Sequence, residues 1–403
     1  MGLNDTPSSE RMHIGFFGLR NAGKSSLVNA VTGQDLAVVS EVRGTTTDPV
    51  YKSMELLPMG PVVIIDTPGI DDEGTLGEMR VRKTHEILNR TDVAVLVTDG
   101  RTPLAPPEKE LLTIFKEKEI PYIIASNKAD LMEREAPAGA SDRIVKVSAL
   151  TGQGLHTLKE KIAHLGRPEE TGNKCIASDL LNPLDLVVLV IPIDSSAPKG
   201  RLILPQQQVI RDLLEGGMVT ICVRETELAE TLKKPGIKPA LVITDSQAFK
   251  VVSEIVPEEI PLTSFSILMA RYKGFLEAAV QGASAIDNLK PGDRVLISEG
   301  CTHHRQCEDI GTVKLPKLLR KHLGFEVNME TSSGRSFPED LTTYNLVIHC
   351  GGCMLNGREM QHRMEAAKEQ GVPFTNYGIS IAHMRGILKR SIAMLPGFGD
   401  RKE

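Results

Sequence analysis

Two short stretches near the C-terminus concentrate the residue types that hold soft metals. Glu299-Gly300-Cys301-Thr302-His303-His304-Arg305-Gln306-Cys307-Glu308 contains a CxH pair, and Leu346-Val347-Ile348-His349-Cys350-Gly351-Gly352-Cys353 contains HCxxC. Thiolate sulfur and imidazole nitrogen are ligands for zinc and for iron, and two such knots in one chain point to a shared centre. Cys301, Cys350 and Cys353 with His303 or His349 would close a Cys₃His zinc site. The same three thiolates would equally hold a cubane cluster whose fourth iron takes an exchangeable ligand. Glu308 is a further candidate for that fourth position, as an oxygen donor, and Cys307 is a spare thiol. There is no CxxxCxxC, so the radical-SAM cluster motif is excluded. Spacing alone leaves zinc and iron–sulfur open.

A second set of residues, at the other end of the chain, is suited to phosphate chemistry. Gly18-Leu19-Arg20-Asn21-Ala22-Gly23-Lys24-Ser25 matches G-x-x-x-x-G-K-S, preceded by an apolar run from His13 and followed from Ser26 by a helical pattern. Backbone amides of such a loop surround phosphate oxygens at a helix N-terminus; Lys24 would neutralise the outer phosphates and Ser25 would ligate Mg²⁺. Asp66-Thr67-Pro68-Gly69 ends another apolar run, setting Asp66 near the metal and the Gly69 amide near the terminal phosphate. Asn127-Lys128-Ala129-Asp130 ends a third. Asp130 presents two acceptors to the N1–H and amino group of guanine, a demand adenine leaves unmet. Ser148-Ala149-Leu150 would add a backbone contact to the guanine oxygen.

Together these motifs, in this order, resemble the translation-factor-related GTPases, and the nucleotide expected is GTP. Gly44-Thr45-Thr46-Thr47-Asp48 resembles the switch of the MnmE- and Era-related members, with Thr46, ahead of Thr45, expected on Mg²⁺. Ile70 stands where Ras-like proteins carry a catalytic glutamine, so the attacking water must be oriented otherwise. Asn21 matches the position that K⁺-stimulated members use to bind K⁺, which implies K⁺-stimulated turnover.

The elements that position these groups follow from periodicity. Strand-length apolar runs separated by helical periods predict an α/β protein: a P-loop GTPase domain over 1–167, then two smaller parallel-sheet α/β domains, 175–265 and 266–403. A polar, turn-rich stretch from Leu165 to Asn173 reads as the linker. In the middle segment 186–191, 218–223 and 240–244 read as strands, with helices at 206–214, 226–233 and 246–254. No catalytic constellation falls there: Asp194, Lys199 and Arg201 read as solvated loop charges and Cys222 as a buried apolar residue. A core without a site suggests an oligomerisation module. In the last segment one helix is expected over 266–279, strands at 293–298, 325–329 and 344–349, and helices at 315–322 and 358–369. Both cysteine knots then fall at carboxyl ends of strands, where open α/β sheets place ligands.

Bulk properties narrow the class. At 403 residues the chain is too long for one ordinary core. A net charge of -5, 4% aromatic residues and no Trp argue against a nucleic-acid surface. No apolar run approaches a bilayer span and the first twelve residues are polar, so neither a membrane segment nor a leader is expected. Six cysteines, four of them between 301 and 353, are no disulfide framework and suggest the reducing cytoplasm.

An MnmE/Era-like GTPase segment, a motif-free α/β segment and CxH followed by HCxxC together resemble the FeFe-hydrogenase maturation GTPases over essentially the whole chain. That resemblance implies a 4Fe–4S cluster on Cys301, Cys350 and Cys353, with His303, His349 or Glu308 as candidates for the fourth position. It also implies a middle domain that forms a homodimer. The cargo would be a transient di-iron subcluster precursor, built with the radical-SAM maturases HydE and HydG and delivered to apo FeFe-hydrogenase. The alternative is an RNA-modification or ribosome-assembly GTPase with a structural zinc site; the acidic balance and lack of an RNA-binding module weigh against it.

Overall fold

Met12–Phe17 (β1) is buried on both faces because helices cover both sides of its sheet, and its sequence is accordingly apolar almost without alternation. The computed structural model describes residues 6–33, 49–69, 83–132, 142–166, 175–193, 202–300, 310–334 and 337–399. It divides into two compact units, Met1–Thr171 and Gly172–Glu403. The switch threonines Thr45 and Thr46, together with Cys301, His303, Cys307 and Glu308, lie outside the described residues. Among the described residues no helix is long and apolar enough to cross a membrane.

In the first unit β1 pairs with β3 (Gly60–Asp66) and β4 (Val93–Asp99), and the sheet continues to β5 (Tyr122–Asn127) and β6 (Ile144–Lys146). These pairings are parallel; β2 (Val50–Leu56) is an antiparallel edge on β3. Helices α1 (Lys24–Thr32) and α3 (Leu155–Gly166) pack on one face, where Leu27, Val31, Leu158 and Ile162 meet Ile14, Val62 and Val95. Helix α2 (Pro106–Glu117) covers the other, where Leu111 and Phe115 meet Phe17, Ile65 and Leu96.

The second unit carries two four-stranded parallel sheets on one continuous core. The first is built from β7 (Leu186–Val190), α4 (Leu204–Glu215), β8 (Val219–Val223), α5 (Leu228–Leu232), β9 (Leu241–Thr244), α6 (Phe249–Ile255) and β10 (Leu262–Ser264). Helices α7 (Phe265–Tyr272) and α8 (Leu276–Ala283) follow. The second sheet is built from β11 (Arg294–Glu299), α9 (Leu315–Leu323), β12 (Asn328–Ser333), β13 (Leu346–His349), α10 (Gly357–Glu369) and β14 (Phe374–Asn376). Helices α11 (Tyr377–Met384) and α12 (Leu388–Ile392) close the unit.

These two sheets are one fold repeated. Their strand orders, β10-β9-β7-β8 and β14-β13-β11-β12, are the same. Their registers coincide: Val187 pairs Leu241 and Thr220, as Val295 pairs Leu346 and Met329. Each repeat opens on the same turn, with Asp185 accepting from the Asn182 amide and Asp293 from the Lys290 amide, both at 2.8 Å. Leu184 (φ 72°) occupies the left-handed position that Gly292 (φ 90°) holds in the second copy. Each closes on the same capped helix: Ser264 Oγ accepts from the Ile267 amide, and Asn376 Oδ1 from the Ile379 amide. Thr263 and Thr375, equivalent by this register, are both buried with Oγ1 lacking a hydrogen-bond partner. In this equivalence Cys350 stands where the first repeat has Asp245, and Cys353 where it has Ala248.

The closing helices cross over: α8 of the first repeat packs on β14 of the second, and α12 packs on β10. Gly282 makes the first crossing, since a Cβ there would lie 2.1 Å from the Phe374 carbonyl oxygen.

Two expected elements and one residue differ: Cys222, expected to be buried, is exposed because β8 is an edge strand. The single helix over 266–279 is two, α7 and α8, because Gly274 turns the backbone into the left-handed region at φ 81°. The strand expected at 325–329 is β12, starting at Asn328; Val327 is a buried lead-in, and the edge strand itself is mostly polar. Gly282→Ala should destabilise the chain by about 1–3 kcal/mol through the backbone shift it forces. The exposed Gln281→Ala should stay within about 0.5 kcal/mol. Chemical denaturation measures both.

Candidate functional site

In the first unit the sequence motifs meet at the carboxyl ends of β1, β3 and β5. Gly23 has φ 87° and no room for a side chain, because a Cβ would sit 2.3 Å from Asn127 Nδ2. Asn127 is a brace between motifs: Nδ2 donates to the Ala22 carbonyl at 3.0 Å, and Oδ1 accepts from the Ala149 amide at 3.1 Å. Lys128 Nζ donates to the Asn21 carbonyl at 2.8 Å and to Asp99 Oδ2 at 2.7 Å. Asn21 (φ 59°) and Lys128 (φ 64°) both hold left-handed backbone conformations, strain concentrated on one contact of the loop. Arg101 and then Lys128 hold the Asp99 carboxyl far below its usual range.

Lys24 is buried, its Nζ donating to the carbonyls of Gly18 at 3.0 Å and Leu19 at 2.7 Å. Ser25 Oγ donates to Asp66 Oδ2 at 2.7 Å, while Asp66 Oδ1 is buried without a hydrogen-bond partner. Burial pushes the Asp66 carboxyl up, against the Ser25 hydrogen bond and the Lys24 charge. An orphaned carboxylate oxygen beside a serine hydroxyl fits a hard cation that takes oxygen ligands, Mg²⁺ in this setting. Asp130 Oδ1 accepts from Ser148 Oγ at 2.5 Å, a hydroxyl standing where a base N–H would donate. Gly69 and Ser26 lie at the loop and helix positions expected for them, at the end of β3 and in the first turn of α1.

In the second unit Cys350 and Cys353 follow β13. Cys350 Sγ accepts from the Gly300 amide at 3.1 Å and the Gly352 amide at 3.3 Å, so the last residue before 301–309 is tied to this sulfur. Gly352 (φ 61°) makes the CxxC turn, and a Cβ there would meet Met360 Sδ at 2.4 Å. Burial raises the Cys350 thiol to about 11, although the two amides pull it down. Burial also raises Cys353, with the Lys273 charge opposing. Such thiols ionise when a metal replaces the proton. Sulfurs that already accept amide N–H groups fit a thiolate-held iron–sulfur cluster, whose sulfurs take such bonds.

His349 takes a different part from the one expected. Its Nδ1 donates to the Cys350 carbonyl at 2.7 Å, and its Nε2 faces Arg363 Nη1 at 3.1 Å, so both ring nitrogens are engaged away from the sulfurs. Burial first, then the Arg363 charge, holds the ring down to about 3, the neutral tautomer this pairing requires. As placed, it orients the Cys350 backbone and offers no lone pair for a fourth iron.

Sequence reasoning missed three groups that build this site. Arg363, fully buried, donates to Glu359 Oε1 at 2.9 Å and to the Gly334 carbonyl at 2.9 Å. Lys273 donates to the carbonyls of Gly352 and Leu355, fastening the CxxC loop to the end of α7. Glu299, last in β11 and buried, accepts from Tyr377 Oη at 3.3 Å. Each acts across 70 or more residues or from an unremarkable helix, with no local spacing to mark it.

Three known families match successive stretches of the chain. Residues 176–274 match the Hydrogen maturase F dimerization domain and 277–394 the Hydrogen maturase F tetramerization domain, together more than half of the chain. The chain belongs to the HydF family. Residues 13–128 match the 50S ribosome-binding GTPase family, and the first unit is a P-loop GTPase domain. The tRNA modification GTPase MnmE of Laribacter hongkongensis (strain HLHK9) is 33% identical over 154 residues, covering 38% of this chain and 34% of that protein. GTPase Der of Wolinella succinogenes is 32% identical over 194 residues, 45% of this chain and 40% of that protein. The chain spans about a third of the length of the curated MnmE relatives it matches. Aquifex aeolicus Era bound to GDP·AlF4⁻ aligns at 20% identity and TM-score 0.36, over 53% of this chain and 93% of that one.

Removing the Arg363 guanidinium leaves Glu359 a buried charge without its ion-pair partner. Arg363→Met should therefore cost about 3–5 kcal/mol in unfolding free energy, with most of it recovered when Glu359→Leu is added. Denaturant titration of the two variants measures this.

Proposed function

We propose that this HydF-family chain hydrolyses GTP in its first unit and serves, through its second, as a scaffold in FeFe-hydrogenase maturation. In this reading Cys301, Cys350 and Cys353 hold a 4Fe–4S cluster. The cargo is a di-iron subcluster precursor, received from steps involving the radical-SAM maturases HydE and HydG and passed to apo-hydrogenase. The observation that carries the reading is the pair of amide N–H groups already on Cys350 Sγ, one of them from Gly300, the residue before Cys301. Together with the two HydF segments, 176–274 and 277–394, it favours a cluster shared by the two knots.

The roles of the chain's own groups follow from their placement. Lys24 exchanges two loop carbonyls for phosphate oxygens, and Ser25 and Asp66 supply oxygen to Mg²⁺, with Thr46, ahead of Thr45, as the switch ligand. Gly69 offers its amide to the terminal phosphate. Asp130 exchanges the Ser148 hydroxyl for guanine N–H donors, and Asn127 keeps that end of the site in register with the loop at Ala22. Asn21 is the candidate K⁺ ligand. In the second unit the Gly300 and Gly352 amides and the Lys273 ammonium offset thiolate charge, while Arg363 and His349 fix the Cys350 backbone. A cluster on three thiolates supplies one iron with an exchangeable position, a suitable seat for cargo that must leave again. His303 and Glu308 are the candidates for that position in this reading, since both ring nitrogens of His349 are already engaged. The dimerization and tetramerization segments supply a homodimer or a higher assembly in the cytoplasm.

Anaerobically purified protein should be brown with about four irons per chain bound through thiolate. Cys301→Ala, Cys350→Ala and Cys353→Ala should each lose the cluster and hydrogenase activation while GTP turnover persists; full maturation by all three would end the scaffold reading. Separately, GTP turnover should be faster in K⁺ than in Na⁺ buffer, and equal rates would remove Asn21 from the K⁺ role.

A further inference from the structure

Three side chains from three separate elements of the second unit converge away from the cysteines. Asp287 lies in the short helix Ser284–Asn288, His322 in the last turn of α9 and His383 in the last turn of α11. His322 Nε2 is 2.7 Å from Asp287 Oδ1, and His383 Nε2 is 2.8 Å from Asp287 Oδ2. One ligand atom from each of the three lies within 4.8 Å of the others. The rings stand 6.1 Å apart between centroids, each presenting the same nitrogen to the shared carboxylate.

Topology separates this cluster from the thiol site. The strands of the second sheet are parallel, so α9 and α11 run back toward their amino ends, where Asp287 precedes β11. Tyr377, first in α11, contacts Glu299 at the carboxyl end of β11; His383 is six residues further along, about 9 Å down the helix axis. The histidine pair is therefore at the opposite end of the sheet from Cys350.

We propose that Asp287, His322 and His383 form a binding site for a divalent transition-metal ion of the zinc class. Two imidazoles and one carboxylate are a borderline donor set that suits Zn²⁺, Co²⁺ or Ni²⁺ over Mg²⁺ or Ca²⁺. Ligand bonds of about 2.1 Å place neighbouring donors about 3.4 Å apart in a tetrahedron, and the three ligand atoms already lie within 4.8 Å of one another. The side chains are 53%, 27% and 20% exposed for Asp287, His322 and His383, which leaves the remaining coordination positions to water. Binding needs the Nε2 lone pair of each ring, so the contacts that now face Asp287 give way to the ion. The ion would tie the ends of α9 and α11 to the segment leading into β11.

The test uses the full chain with Cys301, Cys307, Cys350 and Cys353 changed to Ser, so that the cysteine knots do not compete, after chelator treatment. Titration with Co²⁺ should give one ion per chain with weak ligand-field bands and no thiolate charge-transfer absorption. Asp287→Asn, His322→Gln and His383→Gln should each weaken Zn²⁺ by more than the roughly 10–100-fold typical of losing an outer partner. Zn²⁺ should raise the melting temperature of the parent but not of the variants. If the serine chain fails to fold, the cysteine-intact protein loaded anaerobically with iron should bind one Zn²⁺ more than its His383→Gln form. No binding, binding that survives all three substitutions, or melting temperatures lowered equally with and without Zn²⁺ would overturn the site and leave a plain Asp–His ion pair.

Discussion

A parallel strand that stops leaves its last amides and carbonyls without a ladder partner, and those groups must find another. Both candidate sites in this chain are built on that deficit. After β1 the loop carbonyls of Gly18 and Leu19 are taken by Lys24, and after β5 Asn127 takes the Ala22 carbonyl and the Ala149 amide. After β11 and β13 the amides of Gly300 and Gly352 turn to a sulfur. In each case the backbone is held by groups that a ligand's oxygens, or a thiolate's charge, would satisfy better. The phosphate loop and the cysteine loop thus draw on the same kind of unsatisfied strand end with different side chains.

What the second sheet adds is a dry support behind its sulfurs. Arg363 and Glu359 are both buried and paired, and Arg363 reaches His349 and the Gly334 carbonyl as well. A buried pair of this kind contributes little net stability, since desolvation offsets attraction, but a half-removed pair is strongly unfavourable. Its effect is specificity: the guanidinium admits one tautomer of His349, and that tautomer holds one orientation of the Cys350 carbonyl. Lys273 performs the matching task on the other side of the CxxC turn, from a helix that belongs to the first repeat.

Much of the frame was legible in the residues. The phosphate loop, Asp66, Asn127 and Asp130 are local patterns with fixed spacing, and the buried parallel strands are apolar runs that mark themselves. The HCxxC knot was visible for the same reason, and the place of Cys350 directly after β13 followed from the apolar run before it. What escaped depends on distance or on weak signals. Arg363 sits in an otherwise polar helix and gains its role only when β13 lies beside it. The break at Gly274 is one glycine in a helical pattern, and β12 is an edge strand whose polar residues carry no core signal. The repeat was hidden because its copies share turn geometry and register more than residue identity: Leu184 replaces Gly292, and Ser264 replaces Asn376 at the cap. The partners of His349 escaped as well: a histidine beside two cysteines reads as a candidate ligand, and neither Arg363 nor the Cys350 carbonyl leaves a local signal.

The exchanged helices of the two repeats carry a consequence for how the second unit comes apart. Because α8 closes on β14 and α12 on β10, neither repeat holds its full complement of packing partners within its own stretch of chain. Opening one sheet uncovers the last strand of the other, so the two should be lost and regained as a single cooperative element rather than as beads on a string. The matched dimerization and tetramerization segments meet near residue 275, yet that point is a boundary of pattern only. In hydrogen exchange or proteolysis it should lie inside one foldon, and the loop that carries Cys350 should share the stability of both halves.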